Sequence, residues 1–158
     1  MDTLKADARY DFTRPGTYPR SGRDLLGGVV YLARAIDKMR ADLAGTVGEY
    51  VAACPQSRKV YDLYGVSPEQ FREAVQQNPT DEGVLRWLQE HGPRQPGPQD
   101  VARFNETMLA DGADPGNPET MAYFRKTLEA AGQGQRTDVH TYVDLQDVEE
   151  GREVPWRS

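Results

Sequence analysis

Apolar residues recur in steps of four and three from Leu25 onward: Leu25, Val29, Leu32, Ile36, Met39 and Leu43. That period puts them on one face of an α-helix. Ser21 followed by Asp24 reads as a capping-box-like start, and Gly45 as a natural stop. The pattern therefore predicts a first helix over 21–45. Gly27 and Gly28 fall inside it at a cost in helix propensity, which points to another segment approaching the backbone there. Beside the main stripe runs a second row with the same rhythm, Leu26, Val30, Ala33, Asp37 and Arg40, which begins apolar and ends charged. Arg34 and Lys38 fall on the far side, which the pattern assigns to solvent.

Further helices follow from their own start and stop signals. A short one is expected around Arg58 to Tyr64, closed by Gly65. Ser67-Pro68 opens another that buries Phe71, Ala74 and Val75. Thr80-Asp81-Glu82 opens the next, with Val84, Leu85, Trp87 and Leu88 inside and Gly92-Pro93 at its end. "GPRQPGPQ" is the clearest break, giving a linker over 93–99. Beyond it Val101, Phe104 and Met108 mark one helix. Asn117-Pro118 opens another around Met121, Phe124 and Leu128, and a last one is expected near Asp138 to Glu150. Residues 1–20 read as an extended arm anchored by Tyr10, Phe12 and Tyr18, and 152–158 as a tail whose Trp156 is expected to dock. No convincing strand alternation is seen. The expected fold is all-α: a compact bundle of six or seven short helices in a single domain over 1–158, with a Pro/Gly-rich break near the middle.

Composition narrows the functions this bundle can carry. A net charge of −6 on 158 residues, with a pI near 5.0, argues against binding nucleic acid, whose phosphates call for basic residues. No apolar run approaches a membrane span, and the opening MDTLKADARYDF has no apolar leader core. The expectation is a soluble, cytoplasmic protein. A single cysteine, Cys54, excludes an intrachain disulfide. Cys54, His91 and His140 match no metal-ligand spacing, and the acidic run Asp144, Asp147, Glu149, Glu150 lacks the layout of a calcium loop. No metal and no cofactor is expected, and the acidic run reads as a solvated helix end.

Two segments carry a family resemblance. "YPRSGRDLLGGVVYLARAIDKMRADLAGTVGEY", Tyr18 to Tyr50, and "RTDVHTYVDLQDVEEGR", Arg136 to Arg152, resemble the opening and closing segments of a bacterial family, domain of unknown function 5069. Between them "VSPEQF", "TDEGVLRWL" and the proline-rich break fit in spacing. The resemblance implies one small soluble helical domain and supplies no reaction, substrate or residue role. His140 and Tyr142 stand where it leads one to expect other small or aromatic residues.

Candidate chemistry centres on the charged end of the first helix. Asp37 and Arg40 continue a row whose earlier members are apolar, so both are expected at least partly buried and paired across one turn. A half-exposed structural pair is the plain reading. The sharper one is a polar pocket beside the helix, in which Arg40 offers its planar fork to a small anionic molecule and Glu49 and Tyr50 form the rim. Asp37, Arg40, Glu49 and Tyr50 are thus the candidate ligand-binding residues. Two other functions stay open: a protein-interaction or dimerisation module, giving a homo-oligomer, and a small acid–base enzyme using Asp37 or Glu49 with His140. Cys54 is expected to be buried or incidental, because the sequence shows no neighbouring histidine and no helix N-terminus to activate it.

Overall fold

The structure is a computed structural model and describes residues 7–156; positions 1–6 of the expected arm and 157–158 of the tail lie outside them. The described residues form seven α-helices and one two-stranded hairpin. Strands β1 (Leu25–Leu26) and β2 (Val29–Val30) pair antiparallel, Leu25 with Val30 and Leu26 with Val29. The helices are α1 (Leu32–Leu43), α2 (Pro55–Tyr64), α3 (Pro68–Gln77), α4 (Asp81–His91), α5 (Pro98–Ala110), α6 (Pro118–Ala130) and α7 (Tyr142–Glu149).

The mostly helical fold is as the sequence predicts, but the long first helix is not. Its first third is the hairpin. Gly27 and Gly28 adopt φ of 59° and 78°, the consecutive positive values that a tight hairpin turn demands and a helix forbids. Leu25, the first member of the predicted stripe, is 62% exposed. Asn105 of α5 fastens the hairpin: Val30 N–H donates to its Oδ1 at 3.0 Å, and its Nδ2 donates to the Gly28 carbonyl at 2.8 Å. The chain then passes through Tyr31, at φ 69° the one described non-glycine with positive φ, and enters α1. That conformation costs an L-residue roughly 1 kcal/mol or more. Complete burial of the ring and the bond from Tyr31 N–H to the Gly22 carbonyl, 2.8 Å, hold it there.

The other starts follow their caps. Ser67 and Gln70 form the reciprocal capping box of α3, Thr80 caps α4, and Asn117 caps α6. Two helices differ in length from the expectation. α2 begins at Pro55, three residues early, and α7 begins at Tyr142 behind the Thr141 cap. The arm lies on the body: Phe12 is buried and its N–H donates to the Thr46 carbonyl at 2.9 Å.

α1 is the axis of the molecule. Every residue from Leu32 to Met39 is buried, because α2, α3, the hairpin and the short turn at Ala8–Tyr10 surround it. Val60, Tyr61, Phe71, Val75, Val84, Leu88 and Met108 complete the larger apolar cluster; Trp87 packs at its edge, half-buried. A smaller cluster joins α6 and α7 through Phe124, Leu128, Leu145 and Val148. The two regions meet where Gly112 bridges Thr141. Any side chain at Gly112 would collide with the His140 carbonyl.

Candidate functional site

From Leu32 to Met39 α1 has no wet face, so a charged side chain in that stretch calls for a partner inside the protein. This overturns the assignment of Arg34 and Lys38 to solvent: they are 2% and 3% exposed. Arg34 meets a carboxylate. Its Nη1 and Nη2 donate to Glu150 Oε1 and Oε2 at 2.9 and 2.6 Å, and Nη1 also donates to the Arg20 carbonyl at 3.1 Å. Tyr50 Oη donates to Glu150 Oε2 at 2.8 Å, and Arg152 closes the far side of the same carboxylate. The acidic end of α7 is accordingly not a solvated terminus. Asp144, Asp147 and Glu150 are buried, against Arg23, Ser21 and Arg34 respectively; only Glu149 of the four is exposed.

Lys38, one turn further along α1, meets no carboxylate among the described residues. Its Nζ lies 2.9 Å from Cys54 Sγ and 3.3 Å from Ser57 Oγ. Cys54 is the N-cap of α2: its Sγ accepts from Ser57 N–H at 3.4 Å, while Pro55 supplies a first-turn residue with no N–H to satisfy. Ser57 Oγ stands 3.5 Å from the sulfur. Three features therefore favour negative charge on one atom: a buried ammonium, a hydroxyl, and the positive end of a helix. Burial by itself pushes the Cys54 thiol up. The Lys38 charge and the hydrogen bonds from Lys38 and Ser57 outweigh it and bring the pKa down to about 7. Burial also lowers the pKa of Lys38, with the sulfur opposing that change. Cys54 is only partly buried, whereas Lys38 is buried. Tyr31 floors the site. Its ring centroid lies 5.9 Å from both Lys38 Nζ and Arg34 Cζ, and burial raises its phenol to about 12.

The four predicted site residues do not converge. Asp37 is buried but pairs with Arg20, not Arg40: it accepts from Arg20 N–H, Nε and Nη2 at 2.9, 3.0 and 3.0 Å. Arg20 also holds Asp81 at 2.9 Å, and Asp37 borders a cavity of about 610 Å³ with Tyr10, Tyr18 and Asp81. Glu49 and Tyr50 line a different cavity, about 320 Å³, with Phe12, Tyr18, Glu149 and Glu150. Its carboxylates repel an anion. Arg40 borders neither cavity; among the described residues its Nε and Nη2 are buried without a hydrogen-bond partner. His140 lines a third hollow with Arg23, Asp138 and Asp144, away from the cavities of Asp37 and Glu49.

Sequence reasoning missed Cys54 by taking α2 to start at Arg58. The signal was present in Cys54-Pro55: a residue able to accept an N-cap bond, followed by proline in the first turn. Nothing local marked Lys38, whose partner is sixteen residues away on another helix.

Among the described residues no cluster of histidine, cysteine, aspartate and glutamate is arranged to hold a metal ion, and no helix is long and apolar enough to cross a membrane. The sequence profile of a family described as domain of unknown function 5069 matches residues 16–152. No curated protein matches the chain in sequence.

Proposed function

We propose, from the premise that the chain belongs to the domain of unknown function 5069 family and from the site itself, that the protein acts through Cys54 as a thiolate nucleophile toward a small electrophilic molecule. One observation carries this reading: Lys38 Nζ, buried and without a bonded carboxylate among the described residues, lies 2.9 Å from a sulfur at the N-terminus of α2. A buried ammonium needs a counter-anion, and the thiolate is the one within reach. Lys38 and Ser57 hold the charge on sulfur, while partial exposure leaves Sγ open to attack an incoming carbon, sulfur or oxygen. An ordinary thiol is only about 1% ionised at neutral pH; one brought to about 7 is roughly half ionised.

The test is the pH dependence of iodoacetamide alkylation of the intact protein. The rate is expected to rise with a midpoint near 7, and Lys38→Met is expected to move that midpoint up toward the free-thiol range. A wild-type midpoint at the free-thiol value would sink the proposal.

A second reading keeps a small anionic molecule beside α1, now on Arg40 alone. It is supported by the Nε and Nη2 edge of Arg40, the side-on fork that takes a carboxylate or phosphate, which has no partner among the described residues. Thermal shifts with acetate and inorganic phosphate should then be present in the wild type and reduced in Arg40→Lys. Equal shifts in both proteins remove it.

A further inference from the structure

We propose that oxidation of Cys54 by a hydroperoxide ends in a covalent bond between Cys54 Sγ and Lys38 Nζ, making this pair a modification site. The inference rests on the reading of Cys54 as an accessible thiolate. In the first step the thiolate attacks a peroxide oxygen. The S–O bond forms, the O–O bond breaks, and hydroxide or alkoxide leaves, so that sulfur is oxidised to the sulfenic acid and the peroxide is reduced. That step removes the anion facing Lys38. The ammonium is then buried beside a neutral sulfenic acid and a serine hydroxyl, with no carboxylate bonded to it among the described residues. Burial favours its neutral form, and the departing hydroxide takes the proton. In the second step the freed amine lone pair attacks Sγ. The S–N bond forms, the S–O bond breaks, and the hydroxyl leaves as water with a proton from the amine. The sum is thiolate, ammonium and hydrogen peroxide going to the S–N linkage and two waters.

Geometry selects this product over the usual ones. The chain has a single cysteine, so no intrachain disulfide can capture the sulfenic acid. The Ser57 backbone nitrogen also lies near sulfur. It lies further off, at 3.4 Å against 2.9 Å, and its lone pair is delocalised into the peptide bond. Nζ sits on a flexible stem already aimed at sulfur, which gives the second step the advantage of a preorganised intramolecular reaction.

The experiment treats the whole protein with graded hydrogen peroxide, then reads intact mass and a tryptic map. Expected are a mass lower by two hydrogens, loss of cleavage after Lys38, a linked peptide containing Lys38 and Cys54, and recovery of all three on adding dithiothreitol. Lys38→Arg keeps a cation near sulfur that does not give up its proton, and should instead accumulate sulfinic acid at Cys54. Three outcomes in the wild type overturn the inference: sulfinic or sulfonic acid with cleavage after Lys38 intact, loss of two hydrogens with that cleavage intact, or a linked pair carrying an extra oxygen. If alkylation still titrates near 7 in such a case, the thiolate reading stands and only the cross-link fails. If the thiol neither alkylates readily nor oxidises, both fail together.

Discussion

Arg34 and Lys38 are one helical turn apart on α1 and almost equally buried, yet the protein treats them in opposite ways. Arg34 receives a carboxylate in fork geometry, a backbone carbonyl, and aromatic faces on two sides, and only its Nε is without a partner among the described residues. Such a cation is structural, since a carboxylate held in fork geometry neutralises its charge. Lys38 receives a thiol and a hydroxyl. Its charge is neutralised only if the thiol ionises, so the pair's state is open to pH and to reaction. Burial alone thus does not separate scaffold from site. The chemistry of the counter-group does, and it separates these two residues within a single turn.

The largest expected effect comes from breaking the structural half. Glu150→Ala leaves the Arg34 guanidinium buried without an anion, and Arg34→Met does the same to Glu150 apart from its bonds to Tyr50 and Arg152. Each should cost about 3–5 kcal/mol in urea unfolding. The double variant with apolar residues at both positions should recover much of that loss. A cost below about 1 kcal/mol for Glu150→Ala would mean that water reaches this pair. By contrast Lys38→Met removes a cation with no carboxylate to strand among the described residues, and at pH 7 should change stability by less than about 1 kcal/mol while raising the thiol midpoint.

The next effect is a pH dependence that belongs to the Lys38–Cys54 half. The folded thiol titrates at about 7, below its ordinary 9.0. Between those values the unfolded chain binds more protons than the folded one, so stability rises with pH. The contribution is fully present above the unfolded value and is lost as pH falls through the folded one. A depression of that size corresponds to about 2–3 kcal/mol. Lys38, with its pKa lowered by burial, adds in the same direction. Cys54→Ser preserves the helix cap and removes the thiol. The wild-type stability minus that of Cys54→Ser should therefore grow from about pH 6 to about pH 9. A difference flat across this range would remove the ionised thiol from the folded state.

The way the two halves were hidden in the sequence differs too. The helical class, most caps and most core positions follow from local rules: Ser67-Pro68, Thr80 and Asn117 start helices because their own side chains satisfy nearby N–H groups, and Phe71, Val84 and Leu88 are buried as their spacing requires. The hairpin was masked because its two-residue turn keeps Leu25 and Val29 four apart, a helical interval; only Gly27-Gly28 signalled otherwise. The charges of α1 were misplaced for a deeper reason. A helical wheel assumes one wet face, but α1 runs through the middle of the molecule, and what surrounds it is set by α2, α3, the hairpin and, at Arg34, the distant Glu150 just past α7. Glu150 and Arg34 are separated by 116 residues, a pairing that no local pattern encodes.

The smallest expected effect tests the pair that the sequence did suggest. Asp37 and Arg40 lie three apart on α1, a spacing that permits an ion pair, but Asp37 is taken by Arg20 and Arg40 is left with the Tyr10 ring, 6.0 Å from its Cζ. A double-mutant cycle of Asp37→Ala and Arg40→Ala should therefore show almost no coupling, within the few tenths of a kcal/mol by which independent sites add. The single variants should still differ. Asp37→Ala removes the acceptor of three bonds from Arg20, one of them a backbone N–H, and should cost about 1–3 kcal/mol, moderated because the Arg20 guanidinium is partly exposed and can be rehydrated. Arg40→Ala deletes a guanidinium whose Nε and Nη2 have no partner among the described residues to lose, and should cost less than about 1 kcal/mol. A coupling above about 1 kcal/mol would put Arg40 back beside Asp37 in solution. It would also restore the structural pair expected from the sequence, with the partnerless Arg40 edge and the second reading built on it withdrawn.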